Sequence, residues 1–241
     1  MLQAAQGGKI SSSRLDDAVR RILRAKFMAG LFDRLPPSVT DLEVVGSGEH
    51  REIAREAVRK SLVLLKDSHQ TLPLSKDINT LVVAGSSADN VGRQSGGWTV
   101  EWQGVDGNWL PGATSILSGL RQTVSSQTEV IYDREGNFSL TNKADIGLAI
   151  VGEEPYAEGV GDKADPRLSA EDLAVIEKVR RASKKLVVII VSGRPLNIKP
   201  QARNWETIVA AWLPGSEGQG VADVLFGDYP FIGTLPIPWE L

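Results

Sequence analysis

The chain has 241 residues, of which 41% are hydrophobic and 24% are charged, and its formal net charge is −3. This balance is typical of a folded chain with a sizeable core. A slight negative charge without a basic stripe argues against nucleic acid as a partner. No apolar run reaches the roughly 18 residues that a membrane span needs, so no membrane partner is expected.

The residue inventory also limits the chemistry. Cysteine is absent, which excludes a disulfide framework and a thiolate nucleophile. The only histidines, His50 and His69, lie among polar residues, so neither a histidine-dependent triad nor a zinc site is predicted. We expect no cofactor and no metal. Residues 1–8 lack the apolar core of a signal peptide, and the composition leaves the compartment open.

The first predicted element is an amphipathic helix near the N-terminus. Ser13 and Asp16 resemble a capping box, and Gly30 would end the helix. Its apolar positions recur at helical spacing and are Leu15, Val19, Ile22, Leu23 and Phe27. One such stripe cannot build a core, so we expect it to pack on a domain outside this chain or to lie partly exposed and favour self-association. The polar, proline-containing residues 33–48 then resemble a linker.

Beyond the linker, helix and strand patterns alternate. The alternation predicts an α/β fold over residues 49–241, with a doubly wound, mainly parallel sheet and helices on both faces. Helices are predicted at residues 49–60, 114–125, from 169 onward and at 217–226. Strands are predicted at residues 80–85, 129–132, 145–151, 186–191 and 208–213, with 61–65 as a strand or a helix end. The β-branched run at 186–191 favours a central position.

Two finer expectations accompany this assignment. The helix at residues 49–60 should carry Ile53, Ala57 and Val58 on one face. Four of the strands should also end in loops at one edge of the sheet, the edge where ligands bind in such folds. The four loops follow Gly85, Val151, Val191 and Leu213.

The loop after Val151 is the most informative of these. Residues 152–162 read Gly-Glu-Glu-Pro-Tyr-Ala-Glu-Gly-Val-Gly-Asp and contain Glu153, Glu154 and Glu158. Loops at strand ends often hold catalytic groups, and a partly desolvated carboxylate there would have a raised pKa suited to proton donation. The alternative is that the three acids only solvate a surface turn.

A second loop carries paired aromatic residues. Trp98 and Trp102 lie four residues apart among glycines. Flat indole faces beside a flexible backbone suit a pyranose ring, which predicts a sugar contact; the alternative is that the indoles fill the core. For Trp212, inside a strand, the core position is preferred, and Trp109 is left open.

A glycine-rich turn, residues 215–220, has the composition of a phosphate-binding loop. It lacks the spacing of the nucleotide-binding motifs, and a tight strand-to-helix turn explains its glycines equally well. A nucleotide-binding or receiver-like domain therefore rests on fold analogy alone.

Four ordered motifs together resemble the second domain of glycoside hydrolase family 3, and most closely its β-glucosidases and exo-β-glucanases. The motifs are residues 96–104, 152–162, 192–195 and 211–220, and the resemblance covers nearly the whole chain from Arg14 onward. It implies that residues 1–32 are the tail of a missing (β/α)8-type barrel and that residues 33–48 join it to the α/β sandwich. It also implies that the full-length enzyme is secreted or periplasmic.

The resemblance further implies the roles of particular residues. In the family, the sandwich domain contributes the general acid/base of a retaining glycosidase, while the barrel holds the nucleophile. Carried onto this sequence, the acid/base is Glu158. Trp98 and Trp102 would clamp the sugar. Glu153 and Glu154 would brace the loop or contact sugar hydroxyls.

The expected partners are therefore a β-glucan or β-glucoside and the missing barrel domain, and the isolated chain is expected to be inactive. By the same resemblance, the chain, whose last residues are 238–241, is expected to lack the family's final segment. The alternative function is a non-catalytic carbohydrate-binding module that keeps the aromatic clamp without the chemistry.

Overall fold

The computed structural model describes residues 1–33 and 39–241. These residues form two compact units, Met1–Ser47 and Gly48–Leu241. Part of the predicted linker, residues 34–38, lies outside the described residues. The assignment of residues 1–32 to a barrel tail stays a prediction.

The first unit is helical. It contains α1 (Leu2–Gln6), α2 (Ser12–Met28) and a 3₁₀ helix at Val39–Val44. Helix α2 is the predicted amphipathic helix, but Ser11 caps it instead of Ser13. The Ser11 hydroxyl accepts the Arg14 backbone N–H at 3.3 Å. Three consecutive serines offer equivalent hydroxyls, and the extended backbone of the first one selects it as the cap.

The second unit is built on a six-stranded sheet. Its strands are β1 (Val63–Asp67), β2 (Thr80–Ala84), β3 (Glu129–Tyr132), β4 (Ala144–Gly152), β5 (Ser183–Val191) and β6 (Thr207–Trp212). They lie in the order β1-β6-β5-β4-β2-β3, and every pairing is parallel except that of β1 with β6. The apolar strand β5 lies inside the sheet between β4 and β6, which confirms its predicted central position.

Helices cover both faces of this sheet. They are α3 (Gly48–Ser61), α4 (Val91–Ser95), α5 (Ile116–Thr123), α6 (Ala170–Ala182), α7 (Lys199–Ala202) and α8 (Gly218–Leu225). One core layer joins the sheet to α3, α5 and α8, and the other joins it to α6 and α7. The predicted α/β sandwich with a mainly parallel sheet is therefore confirmed.

Helix α3 packs with only part of the predicted set of side chains. Val58 is buried, but Ile53 is 66% exposed. The contact with α8 is made by Val58, which lies against Gly220, and by Arg55 and Arg59, which both bind the buried Asp223 carboxylate at 2.6 Å. Long arginine stems cover apolar surface while their guanidinium groups pair with a carboxylate, a use of polar residues that hydrophobic spacing does not reveal.

Both edges of the sheet are short. Strand β3 has four residues, and β1 runs antiparallel to β6 with an irregular register between Leu64 and Lys66. Strand order reverses at β2, which has β3 on one side and β4 on the other. In open α/β sheets such a reversal opens a crevice at the carboxyl ends of the strands.

Candidate active site

The four predicted loops meet at the carboxyl edge of the sheet. The loop after β4 continues the strand pairing, because the Glu153 N–H donates to the Val191 carbonyl at 3.1 Å. The Ser192 N–H, after β5, donates to the Trp212 carbonyl at 3.0 Å. The Gly215 N–H, after β6, donates at 2.8 Å to the carbonyl of Gln94, in the segment that follows β2.

Glu153 braces the acidic loop through Arg194. Its buried carboxylate accepts Arg194 Nη2–H at 2.7 Å, and a second guanidinium nitrogen, Nη1, donates to the Gly161 carbonyl at 2.6 Å. The guanidinium also lies 4.4 Å from the centroid of the Tyr156 ring. Its bond to Glu153 raises the pKa of Arg194, while burial raises the pKa of Tyr156. The two ends of the acidic loop are thereby tied to the strand end of β5.

The aromatic loop packs directly on the acidic loop. A Cβ at Gly97 would overlap the Tyr156 carbonyl oxygen, so only glycine allows this approach. The loop folds back on itself, with the Trp98 N–H donating to the Trp102 carbonyl at 3.0 Å. Trp98 and Val100 adopt left-handed backbone conformations, with φ of 60° and 66°.

Trp98 and Trp102 do not fill the core. They are 71% and 54% exposed, and their ring centroids lie 6.4 Å apart with an angle of 54° between the planes. Trp212 is partly buried and packs on Trp239 at 5.6 Å, as a core residue should. Trp109 is exposed, and its indole N–H donates to the Asp106 carbonyl at 2.6 Å.

Glu158 lies beside the indole pair, on the exposed turn of the acidic loop. Its Oε2 accepts the Trp102 indole N–H at 2.7 Å. This bond is the main reason that the pKa of Glu158 lies below its ordinary value. The predicted rise in pKa is therefore wrong for this structure, because the carboxylate is open to water and hydrogen bonds from N–H groups favour its ionised form.

Sequence reasoning missed Arg93, a buried residue of the short helix α4. Its Nε donates to Asp106 at 2.7 Å and its Nη2 to Glu154 at 3.2 Å. Burial acts to raise the pKa of Asp106, but the bond with Arg93 and its charge act against burial, and the pKa is lowered overall. Glu154 is otherwise exposed, so it lies at the rim while Glu153 is held inside. Helix α4 has five residues, too few for a periodic signal, and a single arginine belongs to no motif.

The loops enclose a cavity of 220 Å³, with Gly97, Tyr156, Gly193 and Leu213 in its wall. Ligand pockets usually measure about 300–1,000 Å³, so this is a small, partial pocket. Among residues 1–33 and 39–241, no group of three or more acidic or histidine side chains could hold a metal ion. Within the same residues, no helix is long and apolar enough to cross a membrane.

Comparison with known families identifies this arrangement. Residues 62–241 match the model of the glycosyl hydrolase family 3 C-terminal domain. The chain belongs to glycosyl hydrolase family 3. The family resemblance predicted from the four sequence motifs is confirmed.

Solved family 3 structures share the fold of this chain. The exo-1,3/1,4-β-glucanase from a Pseudoalteromonas species is 39% identical with a TM-score of 0.89, over 98% of this chain and 31% of that enzyme. The β-glucosidase from Listeria innocua in complex with glucose is 26% identical with a TM-score of 0.78, over 94% of this chain and 32% of that enzyme.

Two curated relatives also match nearly the whole of this chain. The lysosomal β-glucosidase of Dictyostelium discoideum is 30% identical over 99% of this chain and 32% of its own length. The periplasmic β-glucosidase of Salmonella typhimurium is 30% identical over 96% of this chain and 35% of its own length. The chain thus spans about a third of the length of these glycoside hydrolases.

Proposed function

We propose that this chain supplies the general acid/base and the aromatic sugar clamp of a retaining β-glucosidase or exo-β-glucanase. Glu158 is the acid/base, and Trp98 and Trp102 form the clamp. The nucleophile belongs to a barrel domain outside this chain. The observation that carries the proposal is the 2.7 Å bond between Trp102 Nε1 and Glu158 Oε2, which holds a carboxylate beside two exposed indoles.

The proposed reaction has two steps in which Glu158 moves one proton each way. In the first step, Glu158 gives its proton to the glycosidic oxygen, and the bond from that oxygen to the anomeric carbon breaks. At the same time, the nucleophilic carboxylate bonds to the anomeric carbon. In the second step, the Glu158 carboxylate takes a proton from water while the water oxygen bonds to the anomeric carbon and the nucleophile departs. The two carboxyl groups must then lie about 5–5.5 Å apart.

The lowered pKa of Glu158 suits the second step, in which a carboxylate acts as base. The first step needs the protonated form at the moment of bond cleavage. Burial of Glu158 beneath a second domain and a sugar would raise its pKa by desolvation. The proposal therefore requires the covered site to have a higher Glu158 pKa than the open chain.

The other acidic and aromatic residues have supporting roles in the proposal. Glu153, held by Arg194, braces the loop that carries Glu158. Glu154 lies at the rim, where it could accept a hydroxyl hydrogen bond from a bound sugar. Indole faces beside a few polar groups suit a pyranose ring, whose C–H faces pack on aromatic rings while its hydroxyls reach the polar groups.

The test is aryl β-glucoside hydrolysis by three proteins: this chain alone, a chimera and the Glu158→Gln chimera. In the chimera, this chain replaces the matching segment of the Pseudoalteromonas exo-glucanase, whose fold it shares. We expect no turnover by the chain alone and turnover by the chimera. Glu158→Gln should lower the rate about 10²–10⁴-fold, the usual contribution of acid–base catalysis. Glu129→Gln, an exposed carboxylate at the start of β3 and therefore at the opposite edge of the sheet, is the matched control and should leave the rate unchanged.

The alternative, a non-catalytic carbohydrate-binding module, is favoured by the exposure of both indoles, Trp98 and Trp102, at the surface of residues 48–241. Glucan binding by the isolated chain that depends on Trp98 and Trp102, together with an active chimera indifferent to Glu158→Gln, would support this alternative. Appreciable hydrolysis by the chain alone would contradict the division of the site between two domains.

A further inference from the structure

The turn that carries Glu158 is held by hydrogen bonds to two side chains from other loops. Within the turn, the Gly161 N–H donates to the Ala157 carbonyl at 2.8 Å, which closes the turn around Glu158. On one side, Arg194 binds the Gly161 carbonyl. On the other side, the contact is made by the side-chain amide of Gln103.

Gln103 binds the backbone on both sides of the peptide bond that leads into Glu158. Its Oε1 accepts the Ala157 N–H at 2.8 Å, and its Nε2 donates to the Glu158 carbonyl at 3.4 Å. Both contacts go to backbone groups, so they do not depend on the rotamer of the Glu158 side chain. They fix the backbone from which the carboxylate projects.

The position of Gln103 in the chain adds a second constraint. Trp102, the preceding residue, donates its indole N–H to the Glu158 carboxylate. Adjacent residues of the aromatic loop therefore hold the backbone and the side chain of Glu158 separately. The next residue, Gly104, lies against the Pro155 side chain at the start of the same loop segment.

We infer that Gln103 is a positioning residue, which fixes the turn bearing Glu158 at a set distance from the Trp102 indole. This inference rests on the proposed function of Glu158. In this arrangement Gln103 aligns the proton donor, Glu158, with the bound sugar, while the indoles of Trp98 and Trp102 bind the sugar. Misplacement of a catalytic group by about 1 Å can cost about 100-fold in rate.

The first test uses the isolated chain and needs no enzymatic activity. In Gln103→Met, a side chain of similar length without either polar atom, the Ala157 amide should exchange its hydrogen with solvent at least about tenfold faster because it loses its acceptor. Gln103→Glu keeps an oxygen for that amide and should retain most of the protection. Gln122→Met, on the exposed face of α5, is the matched control. Equal Ala157 exchange in Gln103→Met and the unchanged chain would overturn the inference.

The second test uses the chimera and the leaving group. Acid catalysis matters most for a poor leaving group, so kcat/KM for methyl β-glucoside should fall about 10–100-fold in Gln103→Met. The leaving group of 2,4-dinitrophenyl β-glucoside is a stable phenolate, which departs without a proton. For this substrate, kcat/KM should change less than about threefold. A merely structural role would lower both values together, and that result would contradict the inference.

Glu158→Gln run in parallel separates the two proposals. If the loss of kcat/KM depends on the leaving group in Glu158→Gln but not in Gln103→Met, the inference about Gln103 is contradicted and the proposed function stands. If the loss of kcat/KM in Glu158→Gln does not depend on the leaving group, the proposed function itself is contradicted. If the chimera proves inactive, Ala157 exchange in the isolated chain decides whether Gln103 holds the turn.

Discussion

The central strands β4 and β5 and the loops that follow them are held in place by different means. The two strands pair over most of their length, and the side chains on both faces from Leu148 to Val151 are fully buried. The loops depend instead on a few side chains, chiefly Arg194 and Gln103, and leave Trp98 and Trp102 in solvent. The strands are held by many backbone hydrogen bonds and apolar contacts, whereas the loops are held by a few side-chain hydrogen bonds and one partly buried ion pair. A substitution in the strands should therefore have the largest effect on stability, and one in the loops should have a smaller effect on stability and should also affect the site.

The largest effect on stability is expected in the strands. Ile189 of β5 is fully buried, and Ile189→Ala removes side-chain volume that its neighbours cannot fill. We expect a loss of about 2–5 kcal/mol in the free energy of unfolding, measured by urea denaturation. Ile53→Ala, the same substitution on the exposed face of α3, should change it by less than about 0.5 kcal/mol. Similar losses in both variants would show that buried volume does not explain the stability of the sheet.

The next effect concerns the acidic loop. Arg194→Met removes the partner of the buried Glu153 and should lower the free energy of unfolding by about 1–3 kcal/mol, the cost of an unpaired buried polar group. Arg194 itself is 23% exposed, so water would compensate part of the loss. Lys199→Met breaks the exposed pair with Glu240 and should cost at most about 1 kcal/mol. A loss no larger for Arg194 than for Lys199 would mean that Glu153 does not depend on its partner.

A smaller effect of opposite sign is expected at the tip of the aromatic loop. Val100 is an exposed β-branched residue with φ of 66°, a conformation that glycine adopts without strain. Val100→Gly should raise the free energy of unfolding by about 1 kcal/mol after its entropic cost is included. Val160 of the acidic loop is also an exposed valine, but its φ is not positive. Val160→Gly should therefore lower the free energy of unfolding. Destabilisation by both would contradict the presence of strain at Val100.

The smallest effect on stability is expected at Trp102. Trp102→Phe keeps an aromatic ring but removes the N–H bound to Glu158, so the pKa of Glu158 should rise toward its ordinary value. A depressed pKa stabilises the fold above the unfolded-state pKa, and that contribution is lost as the pH falls through the folded-state pKa. The acid side of the stability curve should therefore become flatter, with little change at neutral pH. Titration of Glu158 by NMR checks the pKa, and Trp109→Phe should leave it unchanged.

The same difference between strands and loops explains what could be predicted from the sequence. Strand β3 was predicted at its observed residues, and β5 at its observed position in the sheet, because runs of β-branched residues and buried parallel strands coincide. The meeting of four loops followed from the parallel topology. These features depend on residue type and periodicity, which a single sequence carries.

The contacts within the site could not be predicted in that way. The pKa of Glu158 depends on the direction of one indole N–H, and the roles of Arg93 and Gln103 depend on which backbone and carboxylate atoms they reach. No spacing rule encodes such distances. Ser11 and Ser13 illustrate the limit locally, since either hydroxyl fits the capping pattern and only the backbone conformation decides between them.

The two edges of the sheet bear on how the chain behaves at high concentration. An exposed strand edge is a template on which another chain can add a strand and begin a fibril. Here one edge, β3, has only four residues, and the other, β1, is distorted between Leu64 and Lys66, with a lysine that binds the Ala202 carbonyl at 2.8 Å. Short, irregular and charged edges resist such growth. Any aggregation of this chain should therefore begin at exposed apolar side chains, such as Ile22 and Phe27 of α2 or Trp98 of the aromatic loop, and remain amorphous, without the cross-β order of amyloid.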